Sequence, residues 1–289
     1  MKNTHDKCLI CNSNIIKELP RYRSNYLVKC KSCGFVFCNK IPEIDELKNH
    51  YNGYPRNTDI SSITIKRYHE LLNVFEKYRF SNNILDIGCG DGHFLVVAKE
   101  RNWNVYGTEY TNEAIKICRA KKIEVSKGIL DVNNYDQINF DVITSFEVIE
   151  HINNPVEEVI NINKLLRIGG AFYFTTPNFN SLNRSILKNE WSVIEFPEHL
   201  SYYTRKTISE LLKKNNFEKK FFQVSGFSFS QLLKKKSHRE IGNEKKVIEE
   251  NFRASIESSF YKKFIKDFFN KILNVTRKGD TLKGLFVKK

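Results

Sequence analysis

The sequence predicts an α/β fold, a parallel sheet covered by helices on both faces, with a small cysteine-rich module in front of it. Three observations predict this. Apolar runs of strand length alternate with helical stretches from residue 84 to residue 174. A glycine loop, Asp86-Ile87-Gly88-Cys89-Gly90-Asp91-Gly92, joins the first of those strands to a helix. Two Cys-x2-Cys pairs, Cys8/Cys11 and Cys30/Cys33, precede everything else.

The elements follow in order. Residues 1–40 hold the cysteine pairs and short β-like runs, Tyr26-Leu27-Val28 and Phe35-Val36-Phe37. Residues 41–65 read as a connector, with Pro42, Gly53 and Pro55 and a short helical piece around Leu47. From Ile63 onward Tyr68, Leu71, Leu72, Phe75 and Tyr78 recur at helical spacing. Strands are expected at Ile84–Ile87, Val105–Gly107, Ile123–Val125, Phe140–Ile143 and Ala171–Phe174, and helices at 93–100, 112–120 and 156–166. A helix over 205–215, a strand through Phe221–Val224 and a last strand Leu282–Val287 complete a domain of residues 66–289. Residues 231–275, where Phe260, Phe264 and Phe268 recur every four positions, read as a charged helical insertion before that last strand.

Length and composition set limits. A chain of 289 residues, 40% of them hydrophobic, can bury one large α/β core plus a small appendage. No run of eighteen apolar residues appears, so no membrane insertion is expected. Residues 1–20 are polar and lack the apolar stretch of a secretory signal, which makes the cytoplasm the expected compartment. The net charge of +14 favours anionic partners: nucleic acid, acidic lipid or a nucleotide-linked substrate. Its lysines are scattered as well as clustered, so base composition of the genome explains the charge equally simply.

In a reducing compartment paired cysteines read as metal ligands rather than disulfides. Cys8, Cys11, Cys30 and Cys33 form two pairs separated by 18 residues, the spacing of a closed four-thiolate zinc site with a structural role. Cys38 is spare, and Cys89 and Cys118 are expected to be small buried apolar residues.

The glycine loop carries the ligand chemistry. Glycines let backbone approach a ligand closely, and the helix that follows offers unpaired N–H groups. In G-x-G-x-x-G the third glycine stands one residue later than Gly92 does here. Asp86 and Asp91 would repel a pyrophosphate and suit a cation such as the ammonium of a methionine moiety, pointing to S-adenosylmethionine rather than a dinucleotide. Glu109, 19 residues after Gly90 at the end of the next strand, is placed to accept from both ribose hydroxyls. Asp131, after the third strand, falls where an adenine amino group would lie.

Residues 84–178 resemble class I methyltransferases through Asp86–Gly92, Glu109, the run from Asp141 to His151, and Leu165-Leu166-Arg167-Ile168-Gly169-Gly170. Glu150-His151 followed by Pro155 is similar to ubiquinone-biosynthesis O-methyltransferases. The resemblance implies a seven-stranded Rossmann-like methyltransferase sheet whose last strand is antiparallel. It also implies S-adenosylmethionine as cofactor, with Asp86, Gly88, Gly90, Gly92, Glu109, Asp131 and Phe146 on the cofactor side. The four-cysteine module together with Phe196-Pro197-Glu198-His199-Leu200-Ser201-Tyr202-Tyr203 looks like bacterial methyltransferases of sugar and glycan pathways. Deoxysugar C-methyltransferases carry an additional C-terminal domain for which this chain has no room, which leaves O- or N-methylation of a sugar, nucleotide-sugar or glycan precursor.

A hydroxyl acceptor needs a base, and histidine suits neutral pH. His199, beside Glu198, is the first candidate, a better base if Glu198 or another carboxylate hydrogen-bonds its ring; His151 is the second. Glu147, Glu150 and His151 offer a donor set for a divalent ion, with backbone capping and packing as the simpler alternative. Tyr51 and Tyr54 are candidates to close over the cofactor, and Trp191 and Phe196 to line an acceptor pocket, with the simpler alternative that at least half of the four are plain core or surface aromatics. Two competing readings remain: an RNA methyltransferase using the basic surface and the zinc ribbon, and a binding protein that kept the fold without the chemistry. The acceptor and the oligomeric state are not encoded in any motif.

Overall fold

The structure is a computed structural model that describes residues 4–51, 60–228, 231 and 260–289. Its centre is a seven-stranded sheet. The strands are β4 (Asn83–Ile87), β5 (Asn104–Glu109), β6 (Glu124–Lys127), β7 (Phe140–Phe146), β8 (Leu166–Pro177), β10 (Phe217–Ser225) and β11 (Thr281–Lys288), in the order β10-β11-β8-β7-β4-β5-β6. All run parallel except β11, which is antiparallel to both β8 and β10. The expected antiparallel last strand is therefore present, one residue longer at each end than its apolar pattern predicts.

Side-chain alternation explains why the sheet is covered on both faces. Ile84, Val142, Ala171 and Tyr173 point into one core, and Leu85, Ile143, Phe172 and Phe174 into the other. The first core is closed by helices α2 (Ser62–Phe75), α3 (His93–Glu100) and α4 (Asn112–Ala120). The second is closed by α5 (Pro155–Leu165) and, beyond the short α6 (Leu182–Leu187), by α7 (Arg205–Lys214). Helix α2 starts where the Ser61 hydroxyl accepts from the Thr64 N–H, inside the stretch that reads as connector; α1 (Ile44–Tyr51) lies earlier in it. Residues 166–170, which read as a helix end and turn, belong instead to β8. The pairing steps from Phe140–Leu166 to Val142–Ala171, and Gly169 at φ +77° absorbs the irregularity.

The N-terminal residues form a second, antiparallel sheet: β1 (Ile16–Glu18), β2 (Leu27–Cys30), β3 (Val36–Cys38) and, from far along the chain, β9 (Ser201–Tyr202). This sheet is no detached appendage. Cys8, Val28, Cys30, Phe35 and Phe37 are buried in the same cluster as Leu85, Phe174 and Tyr203. Of the insertion 231–275, helix α8 (Phe260–Thr276) is described and leads into β11; the remainder lies outside the described residues apart from Gln231. Phe268 is exposed, and the side chains of Phe260 and Phe264 lie outside the described set. Among the described residues no helix is long and apolar enough to cross a membrane.

Candidate active site and four-cysteine centre

The cofactor side is built at the C-terminal ends of β4 and β5. Asp86, the penultimate residue of β4, is fully buried, and the Thr144 hydroxyl donates to it at 2.7 Å. Burial pushes its carboxyl up to about 7, and the charge of Glu109 adds to the rise. Such a group ionises readily once a cation arrives. The loop needs its glycines for different reasons. Gly88, Gly90 and Gly92 all have positive φ, +65°, +54° and +73°. A Cβ on Gly88 would stand 2.6 Å from Val148, and one on Gly92 2.7 Å from Ile123, whereas above Gly90 there is open space.

Glu109 ties the loop to the next strand. One carboxylate oxygen accepts from the Gly90 N–H at 3.2 Å, the other from the Thr111 N–H and hydroxyl at 3.0 and 2.8 Å. Each oxygen has two lone pairs, so capacity remains for a ribose hydroxyl. Phe146 ends β7 against Phe94, with ring centroids 5.1 Å apart. Asp131 is exposed and caps the short helical turn Val132–Tyr135 by accepting from the Asn133 N–H. Cys89 and Cys118 are buried, as small apolar residues should be. The open space above Gly90, the buried carboxyl of Asp86 and the residual capacity of Glu109 fit S-adenosylmethionine.

The acceptor side begins beside that loop, because Val148 packs on Gly88. The turn after β7 places Glu147 at a left-handed φ of +53°, a strained position for a side-chain-bearing residue. Glu150 and His151 follow. Glu150 is buried, accepts from the Thr176 hydroxyl at 2.9 Å, and has its carboxyl pushed well above the usual carboxylate range by burial and by Glu147. His151 Nδ1 lies 2.8 Å from the Glu198 carbonyl, and His199 Nδ1 lies 2.7 Å from the Val193 carbonyl. A carbonyl only accepts, so both rings carry a proton on Nδ1, and a neutral ring so held has its lone pair on Nε2. The two rings meet edge to face at 4.7 Å. One donor atom each of Glu150, His151 and His199 lie within 4.8 Å of one another. Burial, then the neighbouring His199, lowers His151 to about 4. Chemically such a cluster can take up a proton or hold a divalent cation.

Several expectations change here. Glu198 does not orient His199: its carboxylate faces His50 at 3.4 Å, and its carbonyl serves His151. His199, not Glu147, completes the tight group with Glu150 and His151. Trp191 is 1% exposed and belongs to the core rather than a pocket wall. Phe196 is half-buried, with the Lys40 ammonium 4.8 Å from its ring centroid. Tyr54 and the Tyr51 side chain lie outside the described residues. His50 and Glu195 join Glu198 in a second group spanning 4.8 Å, for which the sequence carried no signal.

The four cysteines converge as their spacing requires. Their sulfurs lie within 4.8 Å of one another, with Cys8–Cys33 and Cys11–Cys30 at 3.5 Å. A tetrahedral site with Zn–S near 2.3 Å has sulfurs roughly 3.8 Å apart. The two pairs sit in matching turns: Asn12 at φ +58° donates to the Cys8 carbonyl, and Gly34 at φ +82° to the Cys30 carbonyl. Thiols this close compete for charge. Burial pushes Cys8 up to about 11; at Cys30 burial also opposes ionisation, but the Cys33 N–H and the neighbouring thiols bring it down to about 6. A bound cation ends that competition by taking every sulfur as thiolate, so the donor set fits zinc.

Comparison with known proteins agrees with this geometry. The family model described as "Methyltransferase domain" matches residues 61–220. The ubiquinone biosynthesis O-methyltransferase of Idiomarina loihiensis is 30% identical over 108 residues, 35% of this chain and 44% of that protein. The corresponding enzyme of Thiobacillus denitrificans is 29% identical over 105 residues, 34% of this chain and 45% of that protein. This chain thus spans less than half the length of these curated relatives. A SAM-dependent methyltransferase structure from Archaeoglobus fulgidus superposes with a TM-score of 0.53 at 17% identity, covering 86% of this chain and all of that one. A putative sarcosine dimethylglycine methyltransferase from Galdieria sulphuraria gives 0.52 at 15% identity, covering 78% of this chain and 84% of that one. With more than half its length inside the matched family, this chain belongs to the methyltransferase domain family, and its seven-stranded sheet has the class I fold.

Proposed function

We propose that the protein transfers a methyl group from S-adenosylmethionine to a hydroxyl of a small molecule, with His199 as general base and zinc on the four cysteines. The observation that carries this is the meeting of Glu150, His151 and His199 beside Val148, the residue packed on the cofactor loop. The bound sulfonium supplies a methyl group that is already activated, so positioning provides much of the rate. The residues then have three tasks. Asp86, Gly90 and Glu109 hold the cofactor. His199 Nε2 takes the hydroxyl proton as the oxygen attacks. His151, kept neutral by its surroundings, and the uncharged Glu150 orient the acceptor without competing for that proton. N-methylation would use the same arrangement.

The acceptor is a sugar, nucleotide-linked sugar or glycan precursor on this reading. The support is the four-cysteine module joined to the Glu198-His199 segment, as in sugar- and glycan-pathway methyltransferases. The relatives named for ubiquinone biosynthesis are O-methyltransferases, which favours an oxygen acceptor. The +14 charge keeps RNA as a second reading, recognisable by binding that falls steeply with salt. Calorimetric titration with S-adenosylhomocysteine, followed by a methyl-transfer screen over nucleotide sugars, tests the proposal. Absence of binding to the folded, zinc-loaded protein overturns it.

A further inference from the structure

His199 lies in a stretch that cannot hold itself. From Trp191 to Leu200 no residue belongs to a helix or strand. Its internal bonds are short-range, such as His199 N–H to the Glu195 carbonyl at 2.8 Å. Longer-range constraints come from two places. The turn after β7 holds it where the Leu200 N–H donates to the Glu150 carbonyl at 2.9 Å and His151 Nδ1 to the Glu198 carbonyl at 2.8 Å. The first forty residues hold the other side. β9 pairs with β3, Val36 opposite Tyr202 and Phe37 opposite Ser201. The Cys38 N–H donates to the Leu200 carbonyl at 2.8 Å, and the Cys38 thiol to the His199 carbonyl at 3.4 Å. Asn25 Oδ1 accepts from the Phe196 N–H at 3.2 Å. Val36 and Cys38 share a buried cluster with Trp191, Ile194 and Leu200. The module also reaches the other histidine: His5 Nε2 is 2.8 Å from Asn153 Oδ1, two residues beyond His151.

β3 in turn takes its place from the second cysteine pair. Gly34-Phe35 is all that separates Cys33 from Val36, and the Cys30 N–H donates to the Phe35 carbonyl at 2.8 Å. We infer that the four-cysteine module is a positioning element of the acceptor site: metal on Cys8, Cys11, Cys30 and Cys33 fixes β3, and β3 fixes the backbone that presents His199. This rests on the reading of His199 as the base. The cofactor loop packs on α4 and Val148, and its Ile87 shares the buried cluster of Cys8, Cys30 and Phe35, but its hydrogen bonds come from β5 rather than from β3. Loss of the metal should therefore release the acceptor side and spare the cofactor side.

The test uses the full-length protein in three forms: zinc-loaded, chelator-stripped, and zinc-loaded Asn25→Ala, which keeps every cysteine. Three readouts apply: calorimetry with S-adenosylhomocysteine, nitrogen-15 NMR of the histidine rings, and amide hydrogen exchange. In the stripped protein and in Asn25→Ala, affinity for S-adenosylhomocysteine should change less than about twofold, while the amides of residues 199–202 exchange at least about tenfold faster. The His199 ring should lose its single Nδ1-protonated signature in both. Unchanged His199 signals and exchange in both forms overturn the inference, and so does a parallel collapse of cofactor affinity in Asn25→Ala. If stripping unfolds the chain, Asn25→Ala decides alone. Failure of the zinc-loaded wild type to bind S-adenosylhomocysteine refutes the proposed function instead, and the NMR comparison still reads out the positioning.

Discussion

The two halves of the site are made in different ways. The cofactor half is local: seven consecutive residues, Asp86 to Gly92, and one carboxylate from the adjacent strand, all on one parallel sheet. The proposed acceptor half brings together Glu150 and His151 after β7, His199 some fifty residues later, and a cysteine module at the other end of the sequence. A local half changes through single residues that touch the ligand. An assembled half changes through anything that moves one of its parts.

The sharpest way to break this contrast is His199→Ala. Loss of a general base should lower kcat for methyl transfer by roughly 10²–10⁴-fold. Calorimetry with S-adenosylhomocysteine should show unchanged affinity; a matching loss of affinity would mean the halves are not separable. Glu109→Ala is its mirror image. Hydrogen bonds to a charged group contribute about 1.5–3 kcal/mol each, so cofactor affinity should fall about 10–100-fold. The His199 ring signals should stay where they are.

Gly88→Ala probes a place where the halves touch. Its Cβ would press on Val148 at 2.6 Å from a backbone at φ +65°. Overpacking of this kind costs about 1–3 kcal/mol, measurable by denaturant unfolding. Because Val148 leads into Glu150 and His151, the NMR signals of His151 should move as well. Gly90→Ala, which meets open space, should leave them alone.

The smallest effect is a proton count. Asp86 has its folded carboxyl raised from 3.8 to about 7. The folded state thus binds more protons than the unfolded one in that window, and unliganded stability falls as pH rises from about 4 to 7. Cofactor binding should ionise Asp86, releasing about one proton at pH 5.5 and none at pH 9. Titrations in buffers of different ionisation enthalpy measure this. A pH-independent count would mean that Asp86 does not meet the ammonium.

The same contrast explains what could be read from the sequence. The order of strands, the glycine loop and the cysteine pairs are encoded in spacing, because each depends on residues close in the chain. Asp86 and Glu109 were legible for that reason. The partners of Glu198 and His199 were not. Adjacent carboxylate and imidazole suggested a pair, but the backbone turns Glu198 toward His50 and leaves His199 to the Val193 carbonyl, an acceptor every residue possesses. Trp191 shows the limit for aromatics: in an irregular stretch, a core ring and a pocket ring look alike until the packing partners are known. Cys38 carries no motif, and its importance comes only from the strand opposite it.

The position of β11 has a consequence for biogenesis. It is made last among the seven strands, yet it lies between β8 and β10 and bonds to both. A nascent chain emerging from the ribosome therefore carries two open strand edges until residue 288 has cleared the exit. Synthesis halted just short of β11 should yield an aggregation-prone chain that chaperones retain.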